Sequence, residues 1–396
     1  MRINTHLFLV NEDLIPNITP VLDDRFRPES VYLLSSPATF KQAERLKKIL
    51  KQSGVEVHDW AIDDPWDIEH IRDRVFEFLE GRNYGDVAVN VTSGTKPMSL
   101  AAYDAFQYAK KPVYCVHPEN DHVIWMSPRD LAPFDLADRI KLPLFFKAHD
   151  LHITSSINNG IPKNIRELNT TLAKEVKRFS GPLTVLNALA ASAVETLLST
   201  PMPAHYFENS EMREMLDLFC TEKLFEVDPE FRLRFPDESA RFFVNGGWLE
   251  EHVYSLLFNL RKEVPTIQDV ARNIRFLWDE VGNPKEDVEN EIDVAFLADN
   301  RLYLIECKTK KYDNDANDVL YKLGILRDNL GGREARAMFI SYQKLTDKTR
   351  RRAAELNIQV YELAEIKRLE ETLKCWIQKF GGCKRVCVVR RETGKE

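Results

Sequence analysis

The chain has 396 residues, with 55 Lys and Arg against 62 Asp and Glu and a formal net charge of −7. Hydrophobic residues make up 44% and charged residues 30%, which excludes disordered and collagen-like chains. No apolar run approaches the roughly 20 residues that cross a bilayer, so no membrane partner is expected. The six cysteines include no C-x-x-C pair and the N-terminus has no secretory leader, which predicts a cytoplasmic protein.

The charge is distributed unevenly along the chain. Residues 1–240 carry 27 basic and 36 acidic residues, a net charge of −9, whereas residues 241–396 carry 28 and 26, a net charge of +2. An acidic total counts against nucleic acid as a partner. Because the second part does not share this acidity, the two parts are expected to have different roles.

Strand-like and helix-like segments alternate up to about residue 130, which predicts a parallel α/β sheet. Taken in chain order, strands are predicted at 6–10, 31–34, 55–57, 87–91, 112–116 and 123–125, and helices at 41–51, 65–79 and 98–108. The fold class is therefore α/β, beginning with a doubly wound, Rossmann-like domain over residues 1–140.

The next hundred residues have a different pattern. Helical periodicity at 164–179, 183–199 and 210–220 is followed by short apolar stretches, which predicts a helical, winged-helix-like connector over residues 141–240. From Gly246 onward the mixed α/β pattern returns, so residues 241–396 are predicted to form a second α/β domain.

A polar segment with the sequence N-V-T-S-G-T-K-P, residues 90–97, lies between a predicted strand and its helix. Gly94 permits a tight turn, N–H groups at a helix start attract anions, and Lys96 adds a positive charge. The segment also fits a plain N-cap by Thr95 or Ser93, but other polar residues close strands at the same sheet edge, which favours ligand binding. The candidate ligand-binding residues are Asn11, Ser35, Ser36, Thr92, Ser93, Gly94, Thr95 and Lys96.

Two β-like runs flank Asp299-Asn300, which predicts a hairpin with a two-residue turn. Opposite residue numbers then sum to 599, so that Asp293 faces Glu306, and Lys308 lies on the same face as Glu306. Two opposed carboxylates repel each other, whereas a divalent cation between them reverses the sign of the interaction. The pattern therefore predicts metal-dependent catalysis, with an ordinary solvated strand face as the alternative.

A third carboxylate is predicted from the helix that follows Gly246-Gly247. On a helical wheel, Glu250 falls inside the apolar arc and Glu251 at its edge. A carboxylate that faces a core is costly unless it is paired or binds a metal, so Glu250 is the better candidate ligand. Basic clusters in the same half of the chain favour binding of a phosphodiester backbone: Lys308, Lys310 and Lys311; Lys344, Lys348 and Arg350–Arg352; Lys384, Arg385, Arg390 and Arg391.

These residues together resemble a known arrangement. Asp293, Glu306 and Lys308, with Glu250, resemble the D…E-x-K set of the PD-(D/E)xK restriction-endonuclease-like nucleases. The N-x-T-x-G-T-K segment at 90–96 resembles the CARF (CRISPR-associated Rossmann fold) sensors. With G-G-W-L-E at 246–250 and K-L-x-x-L-R-x-N-L-G-G at 322–332, the chain resembles the CARF–nuclease effectors of type III CRISPR systems.

The resemblance implies a homodimer that binds cyclic oligoadenylate, commonly cyclic tetra-adenylate, across the two-fold axis of its sensor domains. Binding would switch on cleavage of single-stranded DNA or RNA, or nicking of duplex DNA. The resemblance assigns Mn²⁺ or Mg²⁺ to Glu250, Asp293, Glu306 and the backbone carbonyl of Cys307. It implies that Lys308 positions the attacking water and that Lys310 and Lys322 contact the substrate. Ser93 stands where a second glycine is frequent, which leaves the ring size of the activator open.

Two other functions fit parts of the sequence. A nucleotide-sensing DNA-binding regulator without cleavage accounts for the polar segment and the basic clusters, but not for the opposed Asp293 and Glu306. A restriction enzyme of modified DNA accounts for the catalytic residues and leaves the N-terminal domain a structural role.

Overall fold

A computed structural model describes residues 3–80, 87–118, 120–278, 289–310, 316–332 and 334–380. The predicted basic cluster at Lys384, Arg385, Arg390 and Arg391 lies outside these residues, as does Lys311. Among the described helices, none is both long enough and apolar enough to cross a membrane.

The N-terminal part forms a seven-stranded sheet whose first five strands are parallel. The strands are β1 (Thr5–Leu9), β2 (Ser30–Ser35), β3 (Glu56–Ala61), β4 (Val87–Asn90), β5 (Val113–Val116), β6 (His122–Ser127) and β7 (Phe134–Asp135). Their order is β3-β2-β1-β4-β5-β6-β7, with β6 and β7 antiparallel at the edge.

Helices cover both faces of this sheet, which confirms the doubly wound prediction. They are α1 (Ile15–Leu22), α2 (Phe40–Gln52), α3 (Ile68–Glu80) and α4 (Lys96–Tyr108). The apolar residues of α1 and α2 belong to one core cluster and those of α3 and α4 to another. Helix α1 and strand β7 were not predicted, because α1 has only eight residues, including Pro16 and Pro20, and β7 has two.

The middle segment is largely helical. Its elements are α5 (Leu142–Ala148), β8 (Leu151–Ile157), α6 (Lys163–Lys174), α7 (Val176–Ser192), α8 (Ser210–Thr221), β9 (Glu226–Val227), β10 (Leu233–Arg234) and α9 (Glu238–Phe242). The predicted division into helices over 164–179 and 183–199 is wrong: α7 runs through Pro182, and the break between α6 and α7 falls at Glu175. Packing of Phe179, Leu183 and Leu186 in the core outweighs the loss of one helical hydrogen bond.

The C-terminal part is a six-stranded mixed sheet with helices on both faces. Its elements are α10 (Trp248–Leu260), β11 (Ile267–Trp278), β12 (Asn290–Ala298), β13 (Arg301–Lys308), α11 (Asn317–Gly331), β14 (Arg336–Ser341), α12 (Asp347–Glu355), β15 (Ile358–Glu362) and α13 (Leu369–Phe380). The strand order is β15-β14-β13-β12-β11-β8. The edge strand β8 therefore comes from the segment that the sequence assigned to the helical connector.

The two sheets share one apolar core. Phe8 and Leu46 from the first sheet and its helix α2 belong to the same cluster as Phe276 and Leu304 from the second. Phe146 of α5 is fully buried in this cluster, and its ring centroid lies 5.4 Å from that of Phe276. Helix α5 is therefore packed between the two sheets, which are joined by buried apolar contacts as well as by the chain.

Candidate functional site

The β12–β13 hairpin has the predicted register. Asp299 and Asn300 form the turn with φ values of 49° and 54°, as the hairpin turn with two left-handed residues requires. The paired residues run from Ala298 and Arg301 to Val294 and Ile305, and each pair sums to 599. The ladder stops just before Asp293 and Glu306, and Asp293 instead accepts a hydrogen bond from the backbone N–H of Cys307 at 2.7 Å.

Lys308 lies between the two hairpin carboxylates. Its Nζ is 2.5 Å from Oε1 of Glu306 and 3.4 Å from Oδ2 of Asp293. The side chains of Asp293 and Glu306 are only 9% and 14% exposed, whereas that of Lys308 is 33% exposed. The hairpin therefore presents two buried carboxylates and one half-buried ammonium group at a single place, as the sequence predicted.

Gly246 allows the start of helix α10 to approach this place, and Gly247 packs closely against Phe242 of the preceding helix α9. Gly246 has a φ of 118°, and a Cβ there would lie 2.1 Å from Oγ1 of Thr309, the residue after Lys308. A Cβ on Gly247 would lie 2.4 Å from the Phe242 ring. Only residues without a side chain permit such a close approach, which brings the first turn of α10 to the end of β13.

Glu250, in that first turn, joins the hairpin carboxylates. Burial and then the negative charge of Asp293 raise the pKa of Glu250 well above its usual range, so the two carboxylates interact electrostatically. The neighbouring Glu251 points elsewhere: its Oε1 lies 3.2 Å from a guanidinium nitrogen of Arg272 on β11. Glu250 thus lies within electrostatic reach of Asp293, Glu306 and Lys308, whereas Glu251 is paired with Arg272. The ligand oxygens of Glu250, Asp293 and Glu306 do not all lie within 4.8 Å of one another.

The electrostatics of the cluster fit a divalent cation. Burial and the charge of Asp293 raise the pKa of Glu306 to about 7. Burial alone would lower the pKa of Lys308, but Asp293 and Glu306 raise it by more, so this ammonium stays charged near neutrality. One ammonium group offsets only part of the repulsion among three carboxylates, and such oxygen donors suit Mg²⁺ or Mn²⁺.

The predicted substrate residues lie around this cluster. Lys310 is exposed two residues beyond Lys308, and Lys322 is exposed on α11. Although burial raises the pKa of Glu306, the positive charge of Lys322 acts in the opposite direction, so Lys322 lies within electrostatic reach of the site. The assignment of both lysines to substrate, and of the Cys307 carbonyl to the metal, stays a prediction.

The predicted ligand-binding residues lie along one edge of the first sheet. Asn11 follows β1, Ser35 and Ser36 end β2, and Thr92–Lys96 follow β4. Because β1 lies between β2 and β4, the carboxyl ends of the three strands are neighbours. Gly94 has a φ of 86°, and a Cβ there would lie 2.9 Å from Cβ of Leu9. We call these residues, Asn11, Ser35, Ser36 and Thr92–Lys96, the cradle.

Several cradle hydroxyls hold the loop itself. Thr92 Oγ1 donates to Asn90 at 2.5 Å and accepts from the N–H of Val116 at 2.7 Å. Ser93 Oγ donates to the carbonyl of Asp13 at 3.4 Å. Thr95 accepts from the N–H of Met98 and is the N-cap of α4, so the plain N-cap alternative describes part of the loop correctly.

Other cradle groups have no hydrogen-bond partner among the described residues. Oδ1 of Asn11 is buried without a hydrogen-bond partner. Among the described residues, none accepts a hydrogen bond from the backbone N–H of Gly94, and none pairs with the exposed ammonium group of Lys96. An unpaired amide and a cation at the start of a helix are the elements of an anion site.

The sequence reasoning missed two buried asparagines beneath the cradle. Asn90 is fully buried and donates to the carbonyl of Pro16 at 2.8 Å and to Oδ1 of Asn17 at 3.0 Å. Asn17 in turn donates to the carbonyl of Leu9 at 2.9 Å. Asn90 opens the N-x-T-x-G-T-K segment, so the signal was present, but the role is to hold α1 against two strand ends.

A separate acidic group lies at the antiparallel edge of the first sheet. Asp121, His122 and Asp135 each offer one possible ligand atom, and these three atoms lie within 4.8 Å of one another. None of the predicted metal ligands belongs to this group. Asp135 is exposed, and an acidic group of this kind is common on protein surfaces.

Comparison with known proteins identifies both domains. A family described as the Card1 CARF domain matches residues 5–142, and a family described as the Card1-like endonuclease domain matches residues 237–380. No protein with a curated description matches the chain.

Solved structures are similar over nearly the whole chain. The protein VC1899 from Vibrio cholerae is 27% identical with a TM-score of 0.87, covering 96% of this chain and 99% of that one. Can2 from Sulfobacillus thermosulfidooxidans, in complex with cyclic tetra-adenylate, is 26% identical with a TM-score of 0.77, covering 94% and 99%. A type III CRISPR defence DNA nuclease activated by cyclic oligoadenylate is 17% identical with a TM-score of 0.55, covering 94% and 52%, and shows the shared fold alone.

Proposed function

Because the chain belongs to the family that joins a Card1 CARF domain to a Card1-like endonuclease domain, we propose that it is a metal-dependent nuclease activated by cyclic oligoadenylate. The observation that carries the proposal is the buried set of Glu250, Asp293, Glu306 and Lys308. The carboxylates in this set repel one another, and a bound cation would relieve that repulsion. A cluster with only a structural role would have no such repulsion to relieve.

The proposed chemistry is phosphodiester hydrolysis, in which water attacks phosphorus and one ester P–O bond breaks. Mn²⁺ or Mg²⁺, held by the three carboxylates, would supply Lewis acidity and a more acidic water. Lys308 stays protonated because Asp293 and Glu306 hold its charge. It can therefore orient the attacking water and stabilise negative charge at the scissile phosphate by donating hydrogen bonds, but it cannot accept a proton in this state.

The cradle is the proposed activator site. The similar protein Can2 was solved with cyclic tetra-adenylate, which makes this ring the first activator to test. Its phosphates match the unpaired amide of Gly94 and the charge of Lys96, and Asn11 offers a buried acceptor for a ribose or adenine donor. A ring with several equivalent phosphates fits two copies of one cradle, one from each subunit of a homodimer.

Exposed apolar side chains next to the cradle support the homodimer. Trp66 is 70% exposed, and its neighbour Pro65 accepts a hydrogen bond from Thr95. Leu100 is 61% exposed one turn beyond Lys96 on α4. Large exposed apolar groups beside a polar site are typical of an interface. Leu100→Glu is expected to yield monomers in light scattering after gel filtration, whereas Val194→Glu, at an exposed valine in the middle segment, is expected to leave dimers.

The proposed substrates are single-stranded DNA and RNA, with nicking of duplex DNA as a further activity. Lys310 and Lys322 flank the carboxylates and suit a phosphate backbone. A regulator that binds without cleaving, or a restriction enzyme of modified DNA, would use the same domain differently. The regulator would protect DNA in a footprint without cutting it, and the restriction enzyme would ignore cyclic oligoadenylate.

The test is a cleavage assay on labelled single-stranded DNA, RNA and duplex DNA, with Mn²⁺ and with cyclic oligoadenylates of several ring sizes. We expect cutting only when metal and activator are both present. Glu250→Gln should abolish cutting, while the matched variant Glu251→Gln, one residue away and paired with Arg272, should retain it. Equal cutting by both variants would reject the site, and cutting without activator would reject the gating.

A further inference from the structure

The tip of the catalytic hairpin lies against the sensor domain. The turn residue Asn300 is 4% exposed, and its side-chain amide donates to Oδ2 of Asp121, the residue before β6. The same amide donates to the carbonyl of Ala137 at 3.5 Å. Both acceptors belong to the region matched as the CARF domain, and Asp121 is 7% exposed. A buried contact therefore links the sensor directly to the turn between β12 and β13.

Gln268 on β11 completes this contact. Its Nε2 donates to Oδ1 of Asn300 at 2.6 Å and to the carbonyl of Ile140 at 2.9 Å. Its Oε1 accepts from the backbone N–H of Asn300 at 2.9 Å, and its side chain is 4% exposed. Both polar atoms of each amide are therefore used, in one network that spans the two domains. We call Asp121, Gln268 and Asn300 the junction network.

The chain between the domains is held at the same place. Lys141 donates through its ammonium group to the backbone carbonyl of Gln268, and the N–H of Leu142 donates to Asp269 at 2.9 Å. The start of α5 is thus fixed to β11 by polar contacts before it enters the shared apolar core. These contacts fix the position of the last residues of the sensor domain relative to the first residues of β11.

A buried polar network fixes the relative position of its members more strictly than apolar packing does. Apolar contacts can slide by fractions of an ångström at little cost, whereas a buried amide that loses its partner is strongly disfavoured. The junction network therefore transmits a displacement of β6 or of residues 137–140 to the hairpin turn. From that turn, the paired strands β12 and β13 run to Asp293 and to Glu306 at the other end of the hairpin.

We propose that Asn300 is a positioning residue through which the sensor domain sets the position of the catalytic hairpin. The proposal rests on the proposed function for its regulatory meaning, because activator binding is the event that would move the sensor domain. It assigns signal transfer to a direct contact between domains and not to the helices of the middle segment.

The first experiment compares two turn variants. Both turn residues have positive φ, so Asn300→Gly and Asp299→Gly each retain the hairpin conformation. Only Asn300→Gly removes the side-chain contacts to Asp121 and Gln268, while the backbone N–H of residue 300 can still donate to Gln268. We expect the rate ratio with and without cyclic tetra-adenylate to fall about tenfold or more in Asn300→Gly and to change less than about twofold in Asp299→Gly. Activator binding, measured by calorimetry, should remain in both.

The sensor side supplies an independent pair of variants. Asp121→Asn retains an oxygen acceptor and suits the left-handed φ of 42° at this position, whereas Asp121→Ala loses the acceptor. Activation should survive in Asp121→Asn and fail in Asp121→Ala. Full activation in Asp121→Ala or in Asn300→Gly would overturn the proposal. If Asn300→Gly does not fold, the comparison of Asp121→Asn with Asp121→Ala tests the positioning role in its place.

A measurement without activator separates this proposal from the proposed function. The Cys307 amide, which donates to Asp293, reports on the far end of the hairpin. Its hydrogen exchange should be faster in Asn300→Gly than in Asp299→Gly, even if no activator or substrate is ever found. Equal exchange in the two variants would overturn the positioning role. Absence of activated cleavage in the wild-type protein, with unequal exchange, would instead reject the proposed function alone.

Discussion

The cradle and the proposed nuclease site, Glu250, Asp293, Glu306 and Lys308, are both polar, but they are constructed in opposite ways. The cradle consists mainly of hydroxyls and amides, several of which hydrogen-bond to neighbouring parts of the protein, with a single exposed ammonium group. The proposed nuclease site consists of three carboxylates and one ammonium group in a buried place, where burial and the charge of Asp293 raise the pKa of Glu250 and of Glu306. The cradle is thus stable before its ligand arrives, whereas the nuclease site carries a repulsion that its own residues leave in part uncompensated.

The largest expected effect comes from a substitution that removes the ammonium group of Lys308 from the proposed nuclease site. Lys308→Ala should lower the activated cleavage rate by about 10²–10³-fold, because a buried donor at developing negative charge is lost. Lys310→Ala, at the exposed lysine two residues on, should change the rate only a few-fold. Single-turnover cleavage with saturating activator measures both. Similar losses in the two variants would show that the charge acts through backbone binding and not at the reacting phosphate.

The next effect tests the backbone of the cradle. Gly94→Ala should raise the activator concentration needed for half-maximal cleavage by about tenfold, because a side chain at this φ is strained by roughly 1–3 kcal/mol and contacts Leu9. Gly54 also has a positive φ, of 78°, but faces open space, so Gly54→Ala isolates the strain from the clash. An unchanged activator dependence in Gly94→Ala would mean that the cradle does not bind the activator.

The contrast between the two sites also predicts a pH dependence of stability. The pKa of Glu306 rises from the usual 4.5 to about 7, mainly through burial. Between these values the folded protein holds a proton that the unfolded chain releases, so the free energy of unfolding should fall as the pH rises, by up to about 1.4 kcal/mol per pH unit.

Thermal unfolding in a chelator measures this dependence. The slope should be smaller in Glu306→Gln, and Mn²⁺ should stabilise the wild-type protein most above pH 7, where the carboxylate is charged. Variants of the cradle, which has no such carboxylate cluster, should retain the wild-type slope. A flat profile for the wild-type protein would show that the pKa of Glu306 is not raised in the folded state.

The smallest effect concerns the exposed lysine on α11. Lys322→Gln should raise the KM for single-stranded substrate a few-fold at low salt and leave kcat nearly unchanged, because exposed charges contribute about 1 kcal/mol or less. Lys177→Gln, at an exposed lysine of α7, is the control. A fall in kcat instead would place Lys322 in the chemical step.

The placement of the residues in the proposed nuclease site could be predicted from the sequence because the information that fixes it is local. One turn residue pair fixes the register of β12 and β13, and period-two geometry then places Asp293, Glu306 and Lys308. Glu250 followed from helical periodicity, as its position in the apolar arc of α10. The cradle was predictable in location for a similar reason, since strand ends in a parallel sheet share one edge.

Long-range features were not predictable. The hydrogen bonds that occupy Thr92 and Thr95 depend on partners at Val116 and Pro65, which no local pattern identifies. The junction network joins residues 121, 268 and 300, and α7 continues through Pro182 because of its core contacts. In each case tertiary contacts decided a choice that propensity and spacing left open.

The edge strand β8 bears on how such proteins can be recombined. It lies 80 residues before the region matched as the endonuclease domain begins, yet it hydrogen-bonds to β11 of that domain. A fragment cut at the family boundary would lose one of the six strands of this sheet and leave the backbone edge of β11 unpaired. A crossover ahead of Leu142 should therefore retain all six strands of this sheet, whereas a crossover near residue 237 should produce aggregating chains. The segment that completes the second sheet is therefore longer than the region that the family match identifies as the endonuclease domain.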